Sequence, residues 1–429
     1  MLASKPWDIE FVRSQFPALS QGKYSDTDFF ENAGGTYVPH QVIKKLDEYL
    51  VSTKVQPYGV YASSEEGTQN IELATVKMAE MINADEDEVV IGHCTTMNLY
   101  ILAMSLRKIF KQGDEIIVSE QDHESNISPW LRLQEFGVTV KFWPIDPITG
   151  RLSLEQLEYL LSTKTRLVCV THSSNIVGDV NPIKKIADAV HKNDSLLLVD
   201  GVSYAPHHAI DVKGLGVDIY VLSLYKLFGP HLGLMYVKRT LHEQLENQYF
   251  SQLPELYQQY QKPGSPNYLR IALNPGLVNH EEVASLLGLV QYFNELYQHH
   301  FSSNECSFFE KTKAVMELSL THETTLSEYW FNWLVKQKKF TLIGNINNDV
   351  NQRSPTFSLK INHHSLLPKE AAKLLAKKNI AVQSGSFYAW RCLNALNIGD
   401  EGVLRVSFAH FNNLDEVRRL CNALDEILT

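Results

Sequence analysis

Asp200 and Lys226 are the two residues whose types and spacing suggest a chemistry. Asp200 closes an apolar run, Ser195-Leu-Leu-Leu-Val-Asp200. Lys226 follows 26 positions later, between the mostly apolar stretch Val217 to Leu224 and a Phe-Gly-Pro turn. Apolar flanks disfavour the charged form of an amine, which lowers its pKa and makes it nucleophilic. A carboxylate at the end of a buried strand is costly unless it meets a cation. One cofactor uses both groups: pyridoxal phosphate takes a lysine as a Schiff base and an acid on its pyridinium nitrogen. For an isolated pair, a surface lysine and a helix-capping aspartate are the commoner reading, so the surrounding elements must decide.

Short apolar runs at Val89 to Ile91, Glu115 to Ser119, Val138 to Phe142, Arg166 to Thr171, Leu196 to Asp200, Ile219 to Leu222 and Leu234 to Val237 read as strands. Helical patterns lie at about 40–53 and 66–83 before this alternation, and at 97–110, 127–136, 153–162 and 182–192 within it. The alternation predicts an α/β fold whose mostly parallel seven-stranded sheet is covered on both faces. In such sheets ligands lie beyond the carboxyl ends of the strands. Those ends supply Thr95 and Thr96, His123, His172 to Asn175, Asp200 to Ser203, and Ser223 to Lys226. Five polar groups at successive strand ends are hard to explain by solvation alone.

Each group has a plain reading beside the chemical one. Thr95 and Thr96 precede a helix, and suit a phosphate or a simple N-cap. His123 is placed to stack on an aromatic cofactor or to act as a hydrogen-bonded structural histidine. Asn175 fits a donor to a ring oxygen or a turn. Asn32-Ala-Gly-Gly35-Thr suits a turn where backbone approaches a ligand closely, or a turn alone. The pairs His207-His208 and His299-His300 lack carboxylate or thiolate companions at metal-ligand spacing and read as surface.

Beyond about residue 240 the pattern changes. Residues 241–268 are polar and aromatic, read as an irregular excursion with a helix, and Arg270 to His280 reads as a loop. A helix at about 281–298 leaves the first domain, and 308–339 reads as two helices. Strands at Thr356 to Ile361, Ile380 to Gln383 and Val403 to Phe408, with helices at 367–378 and 413–428, form a smaller α+β unit. The expected organisation is an N-terminal arm over 1–28 joining the small domain, a large domain over 29–285 and a small domain over 286–429.

Composition narrows the function classes. A net charge of −10 argues against nucleic acid or an anionic membrane as the main partner. Five dispersed cysteines, with no C-x-x-C pair, fit a reducing compartment better than a disulfide framework. No signal-peptide pattern opens the chain and no apolar run approaches a membrane span, so a cytoplasmic location is expected. No G-x-G-x-x-G follows the early strands, which counts against a nicotinamide oxidoreductase.

Three segments carry a family resemblance: Asp-His-Glu-Ser-Asn-Ile-Ser-Pro-Trp (122–130), Val-Asp-Gly (199–201) and Ser-Leu-Tyr-Lys-Leu-Phe-Gly-Pro-His-Leu-Gly (223–233). Together they resemble the class V aminotransferase group of fold-type I pyridoxal-phosphate enzymes, which includes cysteine desulfurases and selenocysteine lyases. Gly34 to Pro39 and Arg405 to Asn412 bring the chain nearest to a desulfurase-like branch. The resemblance implies that Lys226 is the Schiff-base lysine and moves protons at Cα, while Asp200 pairs with the pyridinium N–H. His123 would stack on the ring and Asn175 sit near its phenolic oxygen. Thr95, Thr96, Ser223 and Tyr225 would hold the phosphate. Arg405 would bind the substrate carboxylate bidentately, with Asn32, Gly35 and Tyr388 near the substrate. It also implies a homodimer with sites at the interface.

Departures from that family's pattern bear on the reaction. Where a desulfurase carries its loop cysteine, this chain has Tyr388, and the nearest thiol is Cys392, in a helix expected to start near Trp390. Gln383 replaces the arginine usual beside that loop, Ser203 replaces a glutamine or histidine, and Leu277 stands where a phosphate-contacting threonine is usual. The leading expectation is therefore a lyase that cleaves a carbon–sulfur bond of an amino acid by β-elimination, which needs no cysteine nucleophile. The alternatives are a desulfurase or selenocysteine lyase using Cys392 with a sulfur-acceptor protein, an epimerase, aminotransferase or kynureninase-like enzyme, and a non-catalytic binding protein on the same fold.

Overall fold

A computed structural model describes residues 5–250, 265, 267–276, 278–302, 306–362 and 366–427. The strands, in chain order, are β1 (Asp28–Phe29), β2 (Val89–Gly92), β3 (Glu115–Ser119), β4 (Thr139–Trp143) and β5 (Thr165–Thr171). Then come β6 (Leu196–Asp200), β7 (Ile219–Ser223), β8 (Gly233–Val237), β9 (Phe340–Leu342) and β10 (Thr356–Ile361). The last are β11 (Ile380–Ala381), β12 (Gln383–Gly385) and β13 (Val403–Ser407). The large sheet has the order β2-β8-β7-β6-β5-β3-β4. Its ladders are parallel except those of β8, which runs antiparallel to both β2 and β7. This is the mostly parallel seven-stranded sheet that the alternation of strands and helices predicts.

The sheet's interior follows from its side-chain alternation. Val168, Val170, Leu197 and Val199 face one apolar cluster, while Leu167, Cys169 and Leu198 face another. Strands buried on both faces must be apolar at nearly every position, which is why they read as short continuous runs. The second sheet is antiparallel, in the order β12-β13-β10-β9. Its own cluster includes Phe357, Val406, Phe408 and Leu420, and also Phe30 from far upstream. β1 pairs in parallel with β11, and Glu31 bridges to Ser407. β1 and β11 form a separate two-stranded sheet, while Glu31 reaches β13, so residues 28–31 belong with the C-terminal unit and the expected junction at 28/29 falls inside β1. The junction expected at 285/286 falls inside the helix His280–His300. That helix places Leu286, Leu289 and Tyr292 in the large sheet's core.

Several local expectations are corrected. Residues 308–334 form one helix, Phe308–Leu334, opened by a Ser307/Glu310 capping box and broken by no Gly or Pro. Within the expected 270–280 loop, Arg270 to Ala272 close a short helix, Tyr268–Ala272. The histidine pairs are not surface features: His207, His208 and His300 are buried. His207 meets Glu323 at 3.0 Å, and His299 meets Asp8 at 2.9 Å. The missing carboxylates come from distant segments, which local spacing does not reveal. The 251–264 part of the excursion, and Leu277, lie outside the described residues. Among the described residues, no helix is long and apolar enough to cross a membrane.

Candidate active site

The carboxyl ends of the parallel strands converge on one cleft, lined by Cys94, Thr95, Thr96, His123, Asn175, Asp200, Ser203, Ser223, Tyr225 and Lys226, with Ser125, Thr171 and Val202. A larger cavity of about 970 Å³ lies elsewhere, between residues 56–75 and 267–283, and contains none of these groups.

Lys226 sits on a one-turn helix after β7 and is 8% exposed. Burial and the neighbouring Arg405 charge lower its pKa to about 8, against the opposing pull of Asp200 and Glu31. The turn is held tightly. Thr36 Oγ1 lies 3.2 Å from Tyr225 O and 3.3 Å from Lys226 O, and Phe228 N–H donates to Thr36 Oγ1 at 3.1 Å. Phe228 adopts φ +61°, a conformation that a bulky side chain takes at a cost of order 1–3 kcal/mol.

Asp200, at the end of β6, is 4% exposed and receives a hydrogen bond from Val202 N–H at 2.9 Å. Desolvation pushes its pKa up to about 6, despite that bond and the Lys226 charge. A carboxylate raised by burial is the group that a cationic N–H relieves most. His123 caps the 3₁₀ turn Glu124–Asn126, its Nδ1 accepting from Ser125 N–H at 3.1 Å. That bond puts the proton on Nε2. Burial, with Lys226 and Arg405 nearby, lowers the ring's pKa to about 4, so the imidazole is neutral near pH 7.

The helix Thr95–Leu106 opens on the cleft. Thr95 Oγ1 lies 2.8 Å from both Leu222 O and Ser223 Oγ, tying the helix to β7. Thr96 is exposed at the cleft, and Met97 N–H donates to the Cys94 Sγ cap at 3.4 Å. Gly233 allows the helix to come this close: a Cβ there would lie 2.5 Å from Cys94 C and Thr95 N. Tyr225 stacks on His231 at 4.6 Å, and Gly35 backs its ring.

Behind Asn175 of the cleft lining, Arg405 reaches from β13 with its side chain 3% exposed. It donates to Asn175 O at 3.3 Å and Glu31 Oε1 at 3.0 Å. Asn175 Nδ2 donates to Phe387 O at 3.0 Å, and Glu124 N–H donates to Tyr388 O at 2.8 Å. These bonds fasten the 385–388 loop, in which Phe387 and Tyr388 both have positive φ, to the cleft. Tyr388 is exposed, with its ring 5.4 Å from that of His123.

Two expected residues do other work. Asn32 is buried, and its amide bonds to Ser407 O and Asn412 Oδ1 at 2.9 and 3.1 Å, bracing the sheet junction. Cys392 is fully buried in the helix Trp390–Ala395, its thiol pushed up to about 12. Sequence reasoning missed Glu31, Phe387 and Cys94. It also missed the buried carboxyl of Asp122, which accepts from Asn126 Nδ2 at 2.7 Å and Thr171 N–H at 3.1 Å. An acid just ahead of the Asn-Ala-Gly-Gly turn was the available signal for Glu31.

A buried amine, a desolvated carboxyl, a neutral histidine and a helix N-terminus, all facing one cleft, fit pyridoxal phosphate group by group. The comparisons agree. The model of the aminotransferase class-V family matches residues 28–267 and 308–420. An aminotransferase-like protein of Gibberella zeae, FGM3, is 36% identical over all of both chains. A cysteine desulfurase-like protein of Aspergillus flavus, ustD, is 32% identical over 98% of this chain and 91% of its own. The solved apo cysteine desulfurase of Thermococcus onnurineus superposes with a TM-score of 0.83 over 99% of both chains at 22% identity, a likeness of fold. The chain belongs to the class V aminotransferase family, in the company of cysteine desulfurase-like proteins, and is a pyridoxal-phosphate-dependent enzyme.

Proposed function

We propose that the protein is a carbon–sulfur lyase that removes a β-substituent from a sulfur-containing amino acid, working as a homodimer in the cytoplasm. The observation that carries this reading is the combination of the Lys226–Asp200 pair with a covering loop that brings Tyr388, and no thiol, to His123.

When bound, pyridoxal phosphate supplies an electron sink for charge developing at Cα. The residues do the rest. Asp200 holds the ring nitrogen protonated, and His123 stacks as a neutral plane. Thr96, Ser223, Tyr225 and the amides of the Thr95–Leu106 helix seat the phosphate. Asn175 and Ser203, which line the same cleft, would contact the ring from their side chains. Arg405 holds the substrate carboxylate, which fixes the Cα–H bond relative to Lys226. Lys226, with an amine whose pKa lies near 8, takes the Cα proton. Phe387 covers one face of the Arg405 guanidinium and so helps to orient it.

Desulfuration through Cys392 is the second reading. It is opposed by the thiol's complete burial and raised pKa, because thiolate chemistry requires an accessible, ionised sulfur. The products separate the two. With cysteine and the holoenzyme, β-elimination yields pyruvate, ammonia and sulfide in equal amounts, whereas desulfuration yields alanine and an enzyme persulfide. Alanine formation that Cys392→Ser abolishes would overturn the lyase reading.

A further inference from the structure

We propose that Glu31 is a specificity-determining residue: its carboxylate occupies Arg405 in the resting enzyme, and a substrate carboxylate binds by displacing it. This rests on the reading of Arg405 as the anchor for an amino acid, and not on β-elimination.

Arg405 lies mid-strand in β13, paired with Ser358 on one side and Gln383 on the other, so its backbone is fixed. Its guanidinium is fully enclosed. Nη2 donates to Glu31 Oε1 at 3.0 Å, and Nη1 donates to the Asn175 carbonyl at 3.3 Å. The Phe387 ring lies 3.7 Å from the guanidinium carbon and covers one face. Nε is buried without a partner among the described residues. A buried guanidinium without a counter-charge is strongly disfavoured, so an internal carboxylate stabilises the empty site. Of the three contacts, only Glu31 carries a negative charge and only Glu31 can leave. The Asn175 acceptor is backbone, and Phe387 is held through its own carbonyl by Asn175 Nδ2 at 3.0 Å.

The side chain of Glu31 is 25% exposed, so release takes it toward water and not into a dry core. Its reach is made possible by Gly34, where a Cβ would overlap both carboxylate oxygens. Once the substrate has taken over the fork, Glu31 remains beside it as an unpaired anion. It then disfavours substrates with a second negative charge on the side chain and tolerates neutral ones.

The test uses two amines that differ only in the carboxylate, L-alanine and ethylamine, titrated into the holoenzyme by the change in its visible absorbance. In Glu31→Gln, alanine should bind about tenfold more tightly, the scale of one charged hydrogen bond removed from competition, while ethylamine should be unchanged. Glu31→Asp, which keeps the charge but loses reach, should tighten alanine by a smaller factor and serves if the Gln variant does not fold. Unchanged or weakened alanine binding, or equal tightening of both amines, would overturn the proposal. Neither amine has a β-leaving group, so failure of the elimination chemistry leaves this contrast intact and is read separately from the products of cysteine.

Discussion

Lys226 is nearly fully buried where it lines the cleft, and its proposed role is directly testable. Lys226→Ala should lose the yellow absorbance of the lysine-bound cofactor and about 10²- to 10⁴-fold in turnover, the usual range for removing a positioned acid–base group. Retained colour and rate would refute the assignment. Asp122 offers a test of a different kind. Burial, and secondarily the Asp200 charge, raise its pKa to about 7, against the bonds from Ser119, Asn126 and Thr171. A carboxyl whose folded pKa exceeds its unfolded value near 3.8 stabilises the fold when protonated. That contribution is complete below pH ~4 and is lost as pH rises through ~7, at about 1.4 kcal/mol per unit. Asp122→Asn should flatten the stability profile between pH 4 and 7, seen in urea unfolding at a series of pH values; a profile identical to wild type would count against it.

At the scale of elements, the strands were legible because burial on both faces demands uninterrupted apolar runs, and β5 and β6 obey this. The polar residues after each strand were legible for the complementary reason: a strand's carboxyl end is where a sheet meets solvent or ligand. The stretch 308–339 reads as two helices only if the absence of Gly or Pro across 308–334 is passed over; Phe308–Leu334 is one helix. Its length is set by packing of Met316, Leu326 and Trp330 against separate clusters. One element-scale consequence concerns Gly233, whose missing side chain admits the start of the Thr95–Leu106 helix. Gly233→Val should push that helix N-terminus out of the cleft and weaken cofactor retention by about tenfold or more, the scale of 1–3 kcal/mol of overpacking. Dialysis followed by absorbance measures it, and unchanged retention would mean that the helix does not seat the phosphate.

At the scale of the molecule, the chain visits the C-terminal unit near its beginning, before it builds the seven-stranded sheet. β1 pairs with β11, and Phe30, Glu31 and Asn32 pack on or bond to the four-stranded C-terminal sheet, reinforced by Asp28 with Arg419 at 2.6 Å and Arg13 with Glu416 at 2.7 Å. Phe30 is fully buried against Phe408. Phe30→Ala should cost about 3–5 kcal/mol of stability, measured by denaturant unfolding; a loss under 1 kcal/mol would show that this crossing does not hold the C-terminal unit.

The sequence by itself determined the alternating α/β pattern, the strand ends that carry Thr95, His123, Asn175, Asp200 and Lys226, and the absence of a cysteine at position 388. These are local properties, written in apolar runs and the residues that stop them. Only the tertiary structure decided that Asn32 braces a sheet junction, that Cys392 is sealed away, and that Glu31 reaches Arg405. Residues 374 positions apart meet there because β1 and β13 join one C-terminal unit. The charge state of a buried group depends on what surrounds it in space, which no spacing along the chain records.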